Sequence, residues 1–101
     1  MENQNSAPNI SVKTLQSAAN IAITQDKPIV LDYWVASHKK ECFVGIKDNK
    51  EQLLVKTEEE YTSPIKRICQ SEQGSPEYIV CTENSIYIVS SSIASRKISS
   101  N

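Results

Sequence analysis

The feature that most constrains this chain is its aliphatic side chains. It holds 19 isoleucines and valines against 4 leucines. β-Branched side chains are stiff at χ1 and suit a pleated surface better than a helix. They fall in short runs of strand length: Pro28 to Val35, Cys42 to Lys47, Gln52 to Thr57, Pro64 to Cys69, Tyr78 to Thr82 and Ile86 to Ser90. Turn formers stand between them, as Asp48-Asn49, Gln73-Gly74-Ser75-Pro76 and Glu83-Asn84-Ser85. The pattern predicts a sheet protein.

One segment breaks it. Val12, Leu15, Ala19, Ala22 and Ile23 recur at helical spacing behind Ser11, a good N-cap, and Pro28 bars continuation past Gln25. The spacing predicts an amphipathic helix over 11–25 whose apolar stripe packs on a sheet. Residues 1–10 read as a loose arm, 11–90 as one globular domain (helix 11–25, strands 28–90), and 91–101 as a weakly ordered serine-rich tail.

Two hairpins permit a register. A two-residue loop at Asn49-Lys50 sets Ile46 opposite Leu53, Val44 opposite Val55 and Gly45 opposite Leu54. It also sets Asp48 against Glu51, a like-charge pair that leaves a looser turn open. With Glu83-Asn84 at the second turn, Ile79, Cys81, Ile86 and Ile88 share one face. Tyr78, Val80, Tyr87 and Val89 share the other. Both faces are apolar, so both need cover, and the helix can supply one. The expected fold is mainly β (α+β): a small curled sheet, or a partly closed SH3-like or Tudor-like barrel of five to six strands with one N-terminal helix. A two-layer sheet with the helix across it is the alternative.

Composition excludes several classes. No apolar run nears the roughly 20 residues of a bilayer span. The start, Met1-Glu2-Asn3-Gln4-Asn5, lacks the basic and apolar regions of a signal peptide. Three cysteines, an odd number, suit reduced thiols, so an intracellular setting in cytoplasm or nucleus is expected. A net charge of -1 removes the electrostatic case for a general nucleic-acid or anionic-membrane binder.

No catalytic constellation emerges. The one histidine, His38, stands four residues before Cys42, but Cys42 opens an apolar strand and reads as core. Cys69 and Cys81 lie in Ile/Val-rich runs without Cys-x-x-Cys spacing, so no metal site and no cofactor are expected. Glu58-Glu59-Glu60 reads as a solvated loop. Gly45 and Gly74 are the only glycines and neither opens a helix, which excludes a glycine-rich phosphate loop. The expectation is a non-enzymatic protein.

The aromatic residues carry the binding expectation. Tyrosine is favoured at interface cores because it joins apolar area to a polar tip. The expected contact face is Tyr78, Tyr87 and Val89, extended by Trp34, read as a strand residue on the side of Asp32 and Val30. The partner would be another protein chain, a second copy or a different protein. The basic pairs Lys39-Lys40, Lys66-Arg67 and Arg96-Lys97 keep a small-barrel nucleic-acid binder as the alternative.

The blocks Lys27 to Trp34, Leu53 to Ile65 and Thr82 to Val89, about a third of the chain, resemble small uncharacterised proteins of large eukaryotic DNA viruses. They are strand and turn segments. The resemblance implies a virion or virus–host interaction component, with no activity and no functional residue attached.

Overall fold

The computed structural model describes residues 9–98. Most of the expected arm, residues 1–8, lies outside them. Helix α1 (Val12–Gln25) starts where the sequence places it. Ser11 is extended, and its hydroxyl accepts the Thr14 N–H at 3.3 Å. Asp26 closes the helix in the left-handed region, at φ 56°, a conformation that a short polar side chain tolerates.

The packed face of α1 differs from the expected one. Thr14 and Ala18 are fully buried, and Ile21 and Ala22 pack beside them. Val12, Leu15 and Ile23 are exposed. The small side chain of Ala18 lets the helix approach the sheet closely, and Thr14 is drawn inward by its hydroxyl's hydrogen bond to Glu77. These two contacts, rather than the bulkier stripe, set the helix's rotation.

The run Pro28 to Val35 is not one strand. Strand β1 is Ile29–Val30 alone, and the Trp34 N–H then bonds the Leu31 carbonyl at 3.1 Å. Helix α2 (Trp34–His38) follows. Tyr33, Trp34, Ala36 and Ser37 are buried while Val35 is exposed, which is helical rather than alternating burial. A short apolar run fits either element, and tertiary contacts decided it. The Ser37 hydroxyl accepts the Ser90 N–H at 2.8 Å, pinning α2 to the sheet.

The remaining strands are β2 (Phe43–Ile46), β3 (Gln52–Thr57), β4 (Glu60–Tyr61), β5 (Ile65–Cys69), β6 (Glu77–Thr82), β7 (Ile86–Ser90) and β8 (Ala94–Lys97). They form two mixed four-stranded sheets, ordered β1-β7-β6-β5 and β4-β3-β2-β8. The β1–β7 and β2–β8 pairs are parallel and the rest antiparallel. The fold is α+β, and among the described residues the strands close no barrel.

The β6–β7 hairpin has the expected register, with Ile79 opposite Ile88 and Val80 opposite Tyr87. Both of its faces are covered. Residues Ile79, Cys81, Ile86 and Ile88 pack under α1 with Ala18 and Trp34. Val80 and Val89 pack against Val44 and Leu54 of the second sheet, with Tyr33, Ala36 and Cys42. The layers are therefore helix, sheet, sheet.

The β2–β3 register is shifted by one residue from expectation, with Val44 opposite Leu54 and Phe43 opposite Val55. The loop holds three residues, Asp48-Asn49-Lys50. Lys50 is left-handed at φ 76°, and the Asn49 side chain accepts the Glu51 N–H at 3.0 Å. Lys47 thereby faces Glu51, an ion pair of 3.3 Å, in place of the like-charge Asp48–Glu51 pair. A one-residue slip exchanges faces. Leu53 and Val55 accordingly turn away from the sheet–sheet core, and Ile98 covers that side over Gly45.

The segment after Ser90 is also more structured than expected. Ile93 packs on the sheet–sheet core, Ala94–Lys97 forms β8, and the Ile98 N–H bonds the Ile46 carbonyl at 2.9 Å. The Arg96 guanidinium lies 4.4 Å from the Phe43 ring centroid, which fixes this otherwise exposed edge.

Candidate functional site

The expected four-residue contact face does not exist as a surface. Val89 has no exposed area and Trp34 is 8% exposed. Trp34 also belongs to the core under α1, on the other side of the first sheet from Val89. Tyr78 and Tyr87 are half-buried, packed onto the sheet–sheet core. Alternation along a strand placed Trp34; a helix put it elsewhere.

Tyr87 does lead to a surface feature. Its ring meets Tyr33 edge to face at 5.2 Å, and the Lys56 ammonium lies 4.6 Å from the Tyr33 centroid. Lys56 reaches Glu60 at 3.4 Å and Asp32 at 3.9 Å. Above them opens a cleft of about 600 Å³ lined by Asp32, Val35, Ala36, Glu41, Lys56, Thr57 and Glu60. Burial pushes the Tyr33 phenol well above its ordinary value, and Tyr87, Glu60 and Asp32 add to the shift. Burial likewise raises Tyr87. Both phenols stay neutral, so they contribute apolar area and hydrogen bonds to this end of the molecule. The cation is already satisfied by its own carboxylates and ring.

A second polar group lies deeper. Glu77 is 3% exposed. One carboxylate oxygen accepts the Ser11 and Thr14 hydroxyls, the former at 2.8 Å, and the other accepts the Ser11 N–H at 2.9 Å. Burial alone raises this carboxyl, but the Thr14 and Ser11 hydrogen bonds outweigh it and hold it below the usual 4.5. The group is saturated and works as a clasp between the N-terminus of α1 and the start of β6. The signal in sequence was Ser11 and Thr14 three apart, facing a lone glutamate that opens an apolar strand.

The thiols offer little chemistry. Burial pushes Cys42 up to about 11, and the charges that reach it are Lys56 and Glu41 rather than His38. Burial also raises Cys81. His38 instead stacks edge-on against Trp34 at 4.3 Å, with its Nε2 buried and unbonded. Among the described residues no group of three His, Cys, Asp or Glu side chains could hold a metal ion. Glu58 and Glu59 form the β3–β4 turn and Glu60 opens β4, and the Thr57 hydroxyl accepts the Glu59 and Glu60 N–H groups.

The most exposed apolar surface is on α1. Val12 is 68% exposed, Ile23 79% and Leu15 40%. With Ala19 they run along one side of the helix at i, i+3, i+7 and i+11. From Thr14 to Gln25 the helix carries no charged residue. The helical spacing predicts this stripe as core, whereas the structure turns Val12, Leu15 and Ile23 outward. The basic pairs Lys66-Arg67 and Arg96-Lys97 sit on β5 and β8, edge strands of different sheets. Charge there blunts edge-to-edge pairing.

No protein-family model, curated protein or solved structure matches this chain.

Proposed function

We propose that this protein is a non-enzymatic interaction module whose contact surface is the outer side of α1. The observation that carries it is the uncharged helix face bearing Val12, Leu15 and Ile23 in the open. Exposed helices ordinarily carry charge on their outer side, whereas interface centres are depleted of it. The interior needs nothing from this stripe, because Thr14, Ala18, Ile21 and Ala22 already close the core. The three free thiols support an intracellular setting. The resemblance of the strand blocks to small viral proteins supports a role in a virion or at a virus–host contact. No helix among the described residues is long and apolar enough to cross a membrane.

The test uses Ile23→Asp, which introduces charge at an exposed position. Chains retained by the wild-type protein from its source cells should be lost, with the melting temperature unchanged. Labelled single- and double-stranded oligonucleotides measured by anisotropy at two salt concentrations give the opposing outcome. Binding that falls steeply with salt reports phosphate contacts and would replace this reading with the nucleic-acid one.

A further inference from the structure

We infer that the free edge of β5 takes up an extended acidic peptide as a further strand, with the peptide's carboxylates beside Lys66 and Arg67. This surface is separate from α1, and the inference stands independently of the role proposed for that helix.

Strand β5 (Ile65–Cys69) ends its sheet, with β6 on one side only. Every second residue of such a strand turns its N–H and C=O outward, a template for another backbone. The other edges are poorer templates. Strands β1 and β4 have two residues each, and β8 is exposed throughout, with Arg96 committed to the Phe43 ring. On β5, Lys66, Arg67 and Ile68 are all exposed. The register fixes their directions. Arg67 lies opposite Cys81, on the α1 side, and Ile68 opposite Val80, on the side of the second sheet. Lys66 is the extra residue of a bulge between Ile65 and Arg67. A strand added here meets a cation on one face and an apolar side chain on the other. Alternating acidic and apolar residues match that edge.

Charge selects the occupant. Lys13, Lys47 and Lys56 have carboxylate partners, whereas among the described residues Lys66 and Arg67 have none. The Arg67 guanidinium donates instead to the Cys69 sulfur, at 3.8 Å. Of the acids at the two ends of the strand, Glu72 is paired with Lys13. Glu83, bonded through its N–H to the Pro64 carbonyl, shares its end with Lys27, whose ammonium bonds the Thr82 carbonyl. A second copy is disfavoured, because pairing two β5 edges would bring Lys66 and Arg67 of both chains together. Nucleic acid fits less well: β5 has no aromatic side chain for a base to stack on, and a phosphate has no donor for the outward carbonyls.

The probe is a dye-labelled synthetic peptide of about eight residues that alternates glutamate and valine. Anisotropy should give a Kd on the order of 100 μM, a weak contact in keeping with so short an edge. The amide resonances of Lys66 to Cys69 should move, and Ile23→Asp should leave the affinity unchanged. Lys66→Glu combined with Arg67→Glu should weaken binding at least about tenfold, with the melting temperature unchanged. The same peptide methylated at every amide nitrogen should not bind. Equal binding by that methylated peptide would reduce the contact to charge and overturn the proposal. Indifference to the double reversal, resonance shifts confined to α1, or no binding up to ~1 mM would overturn it too. A single-stranded oligonucleotide that moves the same amides with a lower Kd would put nucleic acid in the peptide's place. A dimer of the chain that the double reversal abolishes would put a second copy there.

Discussion

The two sides of the β1-β7-β6-β5 sheet are closed in different ways. Under α1 the seal is dry: Ile79, Cys81, Ile86 and Ile88 meet Ala18, and at its edge Glu77 is buried and saturated by two hydroxyls and the Ser11 N–H. Towards the second sheet the core is equally apolar at its centre, with Val80, Val89 and Leu54 fully or nearly fully buried. Its rim, however, is aromatic and wet, where Tyr87 and Tyr33 sit beneath Lys56 and the open cleft. Adjacent residues of β7 serve the two regimes: Ile88 belongs to the dry side and Tyr87 to the wet one. A polar group on the dry side must be fully satisfied to exist there, whereas one at the rim shares its load with water.

Ile88→Ala and Tyr87→Ala test that contrast within two positions. Ile88 has no exposed area, and removing its side chain leaves a cavity that the close α1–sheet approach cannot collapse. Its loss should lower stability by about 3 kcal/mol. Tyr87 is half-buried, so its vacated space opens towards solvent, and its loss should be about 2 kcal/mol. Chemical denaturation with a common m-value measures both. A larger loss at Tyr87 than at Ile88 would mean that the rim is as enclosed as the helix side.

The contrast also explains how far the sequence could be read. The β6–β7 register was legible because its two-residue loop is fixed locally. The Thr82 hydroxyl accepts the Asn84 and Ser85 N–H groups, and unbroken apolar alternation follows on both arms. The β2–β3 register was not legible, since a left-handed Lys50 adds one residue to the turn without any glycine to announce it. The helix was found, but its rotation was set by Glu77, 63 residues from Thr14, and periodicity carries no such information. The run around Trp34 looked like strand for the same reason: Ser37 is held by Ser90, a contact visible only in three dimensions. The cleft joins residues of the α2 region to β3 and β4, so no local motif marks it.

Glu77→Gln sharpens the dry side. The amide keeps the shape but loses the charge and half of the acceptor capacity, so a loss of about 1.5 kcal/mol near neutral pH is expected. The pH dependence identifies the cause. Glu77 has a folded-state value below that of the unfolded chain, so its contribution is present above about pH 4.5 and fades as pH falls through the folded value. Wild type and Glu77→Gln should therefore differ most at neutral pH and converge in acid. Parallel stability curves across that range would show that the clasp acts by packing rather than by charge.

Lys56→Met probes the wet side, where the expected effect is smallest. Lys56 gains from the Tyr33 ring and from two carboxylates, but it stands at the edge of an open cleft, and its ion pairs of 3.4 and 3.9 Å are to exposed partners. Ion pairs with exposed carboxylates contribute about 0.5 kcal/mol and are screened by salt. Methionine keeps the apolar stem over Tyr33 while removing the charge. The variant should therefore lose about 0.5 kcal/mol at low ionic strength and nothing measurable at about 1 M salt, where the Debye length shrinks to roughly 3 Å. A loss that persists in high salt would place Lys56 in an environment as closed as that of Glu77, and the two sides of the sheet would then differ in composition but not in solvent access.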